Sequence, residues 1–325
     1  GSFKYTFFVY RVKGDSVIAF SNVINKVILD FDNVDGMEFY ECSNGEVSPD
    51  KKIQGKISCE YGNKYSFAVK ASTGYSLETF KLKATVEGSE TIEEGSTDFS
   101  NMFDYEKNGD YKIYTIVNKN KDKSENGVQK STVISGSINK ETKTITFATP
   151  QRPKEDTSVE SILSYLNEQG DEISSMNADY GSNVAFAIKL GDKYSNSNIT
   201  VDLYENVNNK KGEHIETLHT VSGYYKITNI TKNYIVEVSG HSVNSYFVNF
   251  SKNDYVDYSL ITDGEESAMS DNVSVLYGGS CYFKVKEKEG YKMGESSVVQ
   301  ATSASGQKIT LEKNSLGQYK LTNIK

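Results

Sequence analysis

The sequence predicts an all-β protein built as a tandem array of three sandwich modules. Three observations lead there. YGNKYSFAVK begins at Tyr61, YGSNVAFAIK at Tyr180 and YGGSCYFKVK at Tyr277. A second echo follows each: DYKIYTI from Asp110, YYKITNI from Tyr224 and QYKLTNI from Gln318. Two echoes in fixed order, three times over, mark repeats of one structural unit. The third observation is composition. The chain holds 23 Tyr, 15 Phe and only 3 Pro among its 325 residues, and no Trp. β-branched and aromatic residues fit a pleated, half-buried surface.

The elements follow in chain order. FFVYRVKG at Phe7–Gly14 is an alternating run of the kind that recurs after the second echo, as TVISG ending at Gly136 and IVEVSG ending at Gly240. Residues 1–24 therefore hold either the closing strand of a preceding module or the opening strand of module one. Modules are expected at 25–137, 138–240 and 241–325. In one phase each module is whole. In the other, module three lacks its last strand, and the exposed edge invites head-to-tail pairing between copies. Otherwise the chain is expected to be a monomer.

Before each YG motif runs an opening strand: KVILDFDNV near Lys26, KTITFATP near Lys143 and SYFVNFSKN near Ser245. Asp30–Gly36 resembles a calcium loop, but position 5 is Val34 and the turn glycine falls one place late. A hairpin is simpler, with VILDF and MEFYE as strands and DNVDG as the turn. In the middle copy, strands are expected near Lys143–Ala148, Ile173–Ala178, Ser182–Leu190, Ile199–Tyr204, His214–Val221, Tyr224–Thr228 and Tyr234–Val238. Phe186 and Ile188 share one face, as do Phe67 with Val69 and Phe283 with Val285. Seven short strands per module is the size of an immunoglobulin-like sandwich. A β-grasp module is the alternative.

One short helix is expected in the middle module, over 158–169. Thr157 and Glu160 form a capping box, Val159, Ile162, Leu163 and Leu166 follow at helical spacing, and Gly170 stops the run. Module one carries an insertion at 86–110. Within it Phe99, Met102 and Phe103 have helical spacing behind a Ser96 or Asp98 cap. With Tyr105 they form the candidate binding cluster, because an apolar insertion is where a partner docks. The competing expectation is a single turn folded onto the sandwich. KNKDKSENG near Lys119 reads as a solvated hairpin tip.

Chemistry is sparse. His214 and His219 point to opposite faces of one strand, which is poor metal geometry. No strained G-x-S-x-G turn presents a serine, and no glycine-rich phosphate loop precedes a helix. No catalytic residue, metal ligand or cofactor is assigned, and calcium held by carboxylates of an irregular loop is the one cofactor left open. Cys59 and Cys281 fall where the other copies carry apolar residues, so both are expected to act as small hydrophobes. A Cys42–Cys59 bridge stays open. Tyr75, Tyr194 and Tyr291 recur after the YG strand and are the residues that would stack on a sugar, although recurrence favours a structural role. Net charge is −8, which disfavours nucleic acid as a partner. No stretch is long and apolar enough for a membrane span.

The pattern Y-G-x-x-x-x-F-x-(V/I)-K, a later G-Y or K-Y, then Y-K-(I/L)-x-N-I and (I/V)-x-V-x-G, resembles immunoglobulin-like repeats from large surface proteins of Gram-positive gut Firmicutes. That resemblance implies an extracellular, cell-wall-associated, non-enzymatic adhesion region that engages a host or environmental protein, immunoglobulin included. It also leaves open intramolecular Lys–Asn isopeptide bonds. A carbohydrate-binding array and a passive stalk are the alternative functions.

Overall fold

The computed structural model describes residues 25–269 and 271–325, so the Phe7–Gly14 run lies outside the described residues. The chain divides between residues 141 and 142 into two compact units. The first holds one hydrophobic core and the second holds two.

Module one comprises β1 (Lys26–Phe31), β2 (Met37–Ser43), β3 (Glu46–Ile53), β4 (Gly55–Glu60), β5 (Tyr65–Ala71), β6 (Tyr75–Val86), β7 (Thr91–Glu93), helix α1 (Thr97–Met102), β8 (Phe103–Asn108), β9 (Tyr111–Ile116) and β10 (Thr132–Lys140). One sheet has the order β4-β1-β10-β6-β7 and the other β3-β2-β5-β9-β8. Module two repeats the plan with β11 (Thr142–Phe147), β12 (Leu163–Leu166), β13 (Glu172–Ile173), β14 (Ser175–Asp179), β15 (Val184–Leu190), β16 (Thr200–Val207), β17 (Lys210–Leu218), β18 (Thr220–Val221), β19 (Tyr224–Ile227) and β20 (Tyr234–Ser239). Its sheets run β14-β11-β20-β16-β17 and β13-β12-β15-β19-β18. The all-β class and the sandwich modules are as expected, with more strands per module than the seven counted from sequence.

All seven strands expected in module two are present, because period-2 alternation with one buried face is a strong signal. The helix expected over 158–169 is not there. Leu163–Leu166 is strand β12 instead, pairing Tyr165 with Ile188 and Leu166 with Ala187 of β15. Val159 is 99% exposed, so the apolar stripe never forms. The Tyr165 ring stacks on Phe147 at 4.4 Å and its hydroxyl donates to the Ala148 carbonyl at 3.0 Å. A helix would leave the β15 edge unpaired and pull that ring from the core. The α-helix among the described residues is α1, in module one. The hairpin expected at Asp32–Gly36 is also not formed. β1 and β2 are strands, but they belong to opposite sheets, so the turn is an arch across the sandwich.

The repeated motifs have one structural job, visible in all three copies. The glycine of each YG takes a left-handed backbone, with φ of +84° at Gly62, +75° at Gly181 and +74° at Gly278. A side chain there would be strained. Its N–H donates to the carbonyl of Val128, Ile230 or Ile324 at 2.7, 2.7 and 2.8 Å. The N–H of that same residue donates back, to Asn63, Ser182 or Gly279. Asn229 and Asn323, just before the clasped isoleucines, are left-handed too, and Gly127 takes their place in module one. Asparagine is one of the few side chains that tolerates this.

Inside, each module repeats one set of four rings. Phe67 lies opposite Tyr114, Phe186 opposite Tyr225 and Phe283 opposite Tyr319 in register. These pairs stack at 5.7, 5.5 and 5.6 Å with interplanar angles of 21°, 23° and 24°. Phe31, Phe147 and Phe250 meet the central phenylalanine edge-on at 5.1, 4.9 and 5.1 Å. Phe39, Tyr165 and Tyr258 complete the sets. Each such contact contributes about 0.5–1.5 kcal/mol beyond burial. The register corrects one sequence match: the counterpart of Tyr225 is Tyr114, not the Tyr111 that aligns in DYKIYTI. Tyr111 faces the other side, edge-on to Tyr40 at 5.7 Å.

Module three has β21 (Ser245–Asn249), β22 (Val256–Thr262), β23 (Glu265–Ala268), β24 (Asn272–Leu276), β25 (Cys281–Glu287), β26 (Val299–Thr302), β27 (Lys308–Leu311) and β28 (Tyr319–Leu321). One sheet is β23-β22-β25-β28; the other is split into the pairs β21-β24 and β26-β27. In modules one and two the corresponding pairs are joined by β10 and β20, each parallel to the opening strand. Among the described residues no strand fills that lane in module three.

Modules two and three meet at Asn244, which is 4% exposed. Its side chain donates to the Asp192 carbonyl at 2.8 Å and to Ser195 Oγ at 2.9 Å, and accepts from the Asn196 N–H at 3.0 Å. Tyr277 packs on the module-two core, and its N–H donates to the Asn244 carbonyl.

Candidate binding surfaces

The 86–110 segment of module one supplies β7, α1 and β8; β7 and β8 take the outer lanes that β17 and β18 hold in module two, while α1 has no counterpart there. Ser96 caps α1, its hydroxyl accepting from the Phe99 N–H at 3.2 Å. Phe99 and Phe103 are each 2% exposed and stack at 4.8 Å. Phe99 also meets Tyr114 edge-on. Met102 is half-buried against the same core. Three of the four residues expected to offer a docking patch therefore face inward. The helical spacing that nominated them is the spacing of a core-facing stripe.

Tyr105 is the exception, at 55% exposure. It lies two residues beyond Phe103 on β8, which places it on the same face at the rim. Its ring stacks on Tyr114 at 5.6 Å, and Lys112 Nζ sits 5.6 Å from the ring centroid. Below lies a polar node. Lys112 Nζ donates to Glu94 Oε1 at 3.1 Å and to the Phe80 carbonyl at 3.1 Å. The Tyr114 hydroxyl donates to Glu94 Oε2 at 2.6 Å. Burial, reinforced by the bond to Glu94, holds the Tyr114 phenol far above its usual range. Among the described residues β8 is the last strand of its sheet, and beyond Phe103 all its residues are exposed.

The three recurrent tyrosines have unlike surroundings. Tyr75 is half-buried with its ring against Gly36, where an added Cβ would fall 2.3 Å from a ring atom. Tyr194 is fully buried. Tyr291 is 51% exposed, and meets Tyr255 at 5.0 Å and 61°, an edge-on pair. They do not form the repeated sugar platform, since two of them are held inside their modules.

The Tyr194 hydroxyl leads to a group the sequence reading missed. Asp156, whose side chain is fully buried, accepts from that hydroxyl, from Lys193 Nζ at 2.5 Å, from Arg152 Nη1 at 2.5 Å and from the Ser158 N–H at 2.9 Å. Burial alone would raise its pKa. The bonds from Lys193, Tyr194 and Ser158 outweigh it and hold the carboxyl well below the usual range. The signal was the extra length between Phe147 and Tyr165, compared with Phe31 to Phe39 and Phe250 to Tyr258. Among the described residues the partners of Asp156 and Lys193 include no second carboxyl, the group that isopeptide chemistry requires beside such a pair.

Cys42, Cys59 and Cys281 are free thiols. Cys59 and Cys281 are buried as expected of small hydrophobes, and burial raises both pKa values. His214 Nε2 lies 3.2 Å from Asp202, and among the described residues no group of three or more His, Cys, Asp or Glu is placed to hold a metal. Among the same residues, no helix is long and apolar enough to cross a membrane. No family model matches the chain, and no curated protein matches it significantly.

Proposed function

We propose that this chain is a non-enzymatic binding region of a Gram-positive cell-surface protein, acting outside the cell and engaging a host or environmental protein, with immunoglobulin among the candidates. The observation that carries the reading is β8. It is a six-residue outer strand where the same lane of module two holds only the two-residue β18, and it presents an exposed tyrosine over a lysine. Residues shared by all three copies build clasps and ring clusters, so a feature of one copy is where recognition is expected. A partner strand adding to β8 would gain main-chain hydrogen bonds, with Tyr105 and Lys107 reading its side chains. Tyrosine anchors of this kind are frequent at protein interfaces.

The test is a pull-down from serum and from mucus with the full chain, followed by affinity measurement with Tyr105→Ala and with Lys107→Pro, which removes a backbone donor from the free edge of the strand. Affinity lower by at least tenfold in either variant, with unchanged circular dichroism, supports the reading. An unchanged affinity for the captured partner in both variants rejects it.

A further inference from the structure

We propose that modules one and two are load-bearing: the pairing of their first and last strands makes each resist tension passed along the chain. This goes beyond the β8 reading and does not depend on it.

The opening and closing strands of each module lie side by side and run parallel. Leu29, Asp30 and Phe31 of β1 lie against Thr132, Val133 and Ile134 of β10. Ile145, Thr146 and Phe147 of β11 lie against Tyr234, Ile235 and Val236 of β20 in the equivalent register. The chain enters each module at the N-terminal end of the first strand and leaves at the C-terminal end of the last. Tension on the chain therefore draws the two strands past each other along their length. The hydrogen bonds between them run across that direction and are loaded together, whereas strands peeled from one end lose them singly. Forced unfolding is governed by the unfolding rate, so loading the rungs together slows it.

Both modules reinforce the pair in the same ways. Beyond one end of the ladder, the Asp32 N–H donates to the Ile134 carbonyl and the Ala148 N–H to the Val236 carbonyl, each at 2.8 Å. At the other end a side chain supplies the acceptor. Ser131 Oγ takes the Ile28 N–H at 3.4 Å, and Asn233 Oδ1 takes the Thr144 N–H at 2.8 Å. Ser131 and Asn233 hold one register position, immediately before the closing strand, so two residue types make the same rung. Leu29, Phe31 and Ile134 are buried, as are Ile145, Phe147 and Val236. A slip of one residue would turn a strand's inward side chains to its opposite face. The outer sides of the pair are anchored too, β1 and β11 by β4 and β14, β10 and β20 by β6 and β16. The glycine clasp adds a second hold. Val128 and Ile230, just upstream of β10 and β20, exchange main-chain bonds with the YG turn in both directions. Drawing the closing strand out must open that clasp as well.

Optical-tweezers extension of the full chain, held by its two ends, tests this. The expected trace has two abrupt steps, roughly 380–410 Å for module one and roughly 320–350 Å for module two, each less the folded end-to-end length. The decisive comparison changes only the direction of load. With handles on Thr142→Cys and Lys232→Cys, in a Cys42→Ser background, tension enters the same end of β11 and β20 and peels them apart. Module two should then unfold at least tenfold faster at equal load, with unchanged chemical denaturation. Asn233→Ala removes the side-chain rung. In end-held molecules it should raise the unfolding rate of module two several-fold and leave the module-one step as it was. Equal rates in the two loading directions overturn the inference, as does gradual lengthening without steps in end-held chains. An unchanged rate in Asn233→Ala overturns the part assigned to that rung.

Discussion

Modules two and three carry the same four rings and the same glycine clasp, yet one encloses its core and the other leaves it open. Phe186 is fully buried between stacked Tyr225 and edge-on Phe147. Phe283 has equivalent partners, Tyr319 and Phe250, but lines a cleft. Among the described residues the difference is one strand. The ring cluster is held by strands that pair within the second echo's sheet and by the opening strand. The rest of the apolar surface is buried only when the closing strand bridges the two halves of the other sheet.

The largest expected effect sharpens that contrast. Phe186→Ala in the closed module should cost about 3–5 kcal/mol, the usual cost of truncating a buried ring. Phe283→Ala, beside an existing cleft, should cost less than half as much. Chemical denaturation with module-resolved NMR reports both, and equal losses would break the comparison. Next in size is Asp156→Ala, which strands Lys193 and Arg152 beside a buried void and should cost about 3–5 kcal/mol in module two with no effect on module one.

The same carboxyl predicts pH dependence. Its folded pKa is depressed, so its stabilisation is complete above the unfolded value near 3.9 and is lost progressively as pH falls below about 5. The melting temperature of module two should drop through that acid window, and Asp156→Asn should flatten the profile while lowering its neutral-pH plateau. Asn244→Ala should cost about 1–3 kcal/mol by leaving the Asn196 N–H without its acceptor at the junction. The smallest effect is hydrogen exchange. Amides of β21 and β26 should exchange faster than those of β11 and β16.

Much of the fold was legible. Period-2 alternation located the strands of module two, and the repeat located the apolar positions of Cys59 and Cys281. Failures came where a segment satisfied two patterns. Ile162, Leu163 and Leu166 fit a helical stripe, but the β15 edge and the Phe147 ring required a strand there. VILDF and MEFYE alternate like a hairpin, yet nothing local says which sheet each joins. Of the candidate site, the sequence picked out the apolar cluster at Phe99–Phe103 but not its facing, since the spacing that marks such a cluster does not say whether it turns in or out.

By itself, the chain order of residues determined that this protein is a series of β modules, where each left-handed turn falls and which rings can meet. Those follow from backbone sterics and from side-chain period, both local properties. Only the tertiary structure decided register, as with Tyr114 rather than Tyr111, and the burial of Asp156. Each of these depends on which distant strand lies alongside, and pairing partners are chosen by the burial and hydrogen bonding of the whole module.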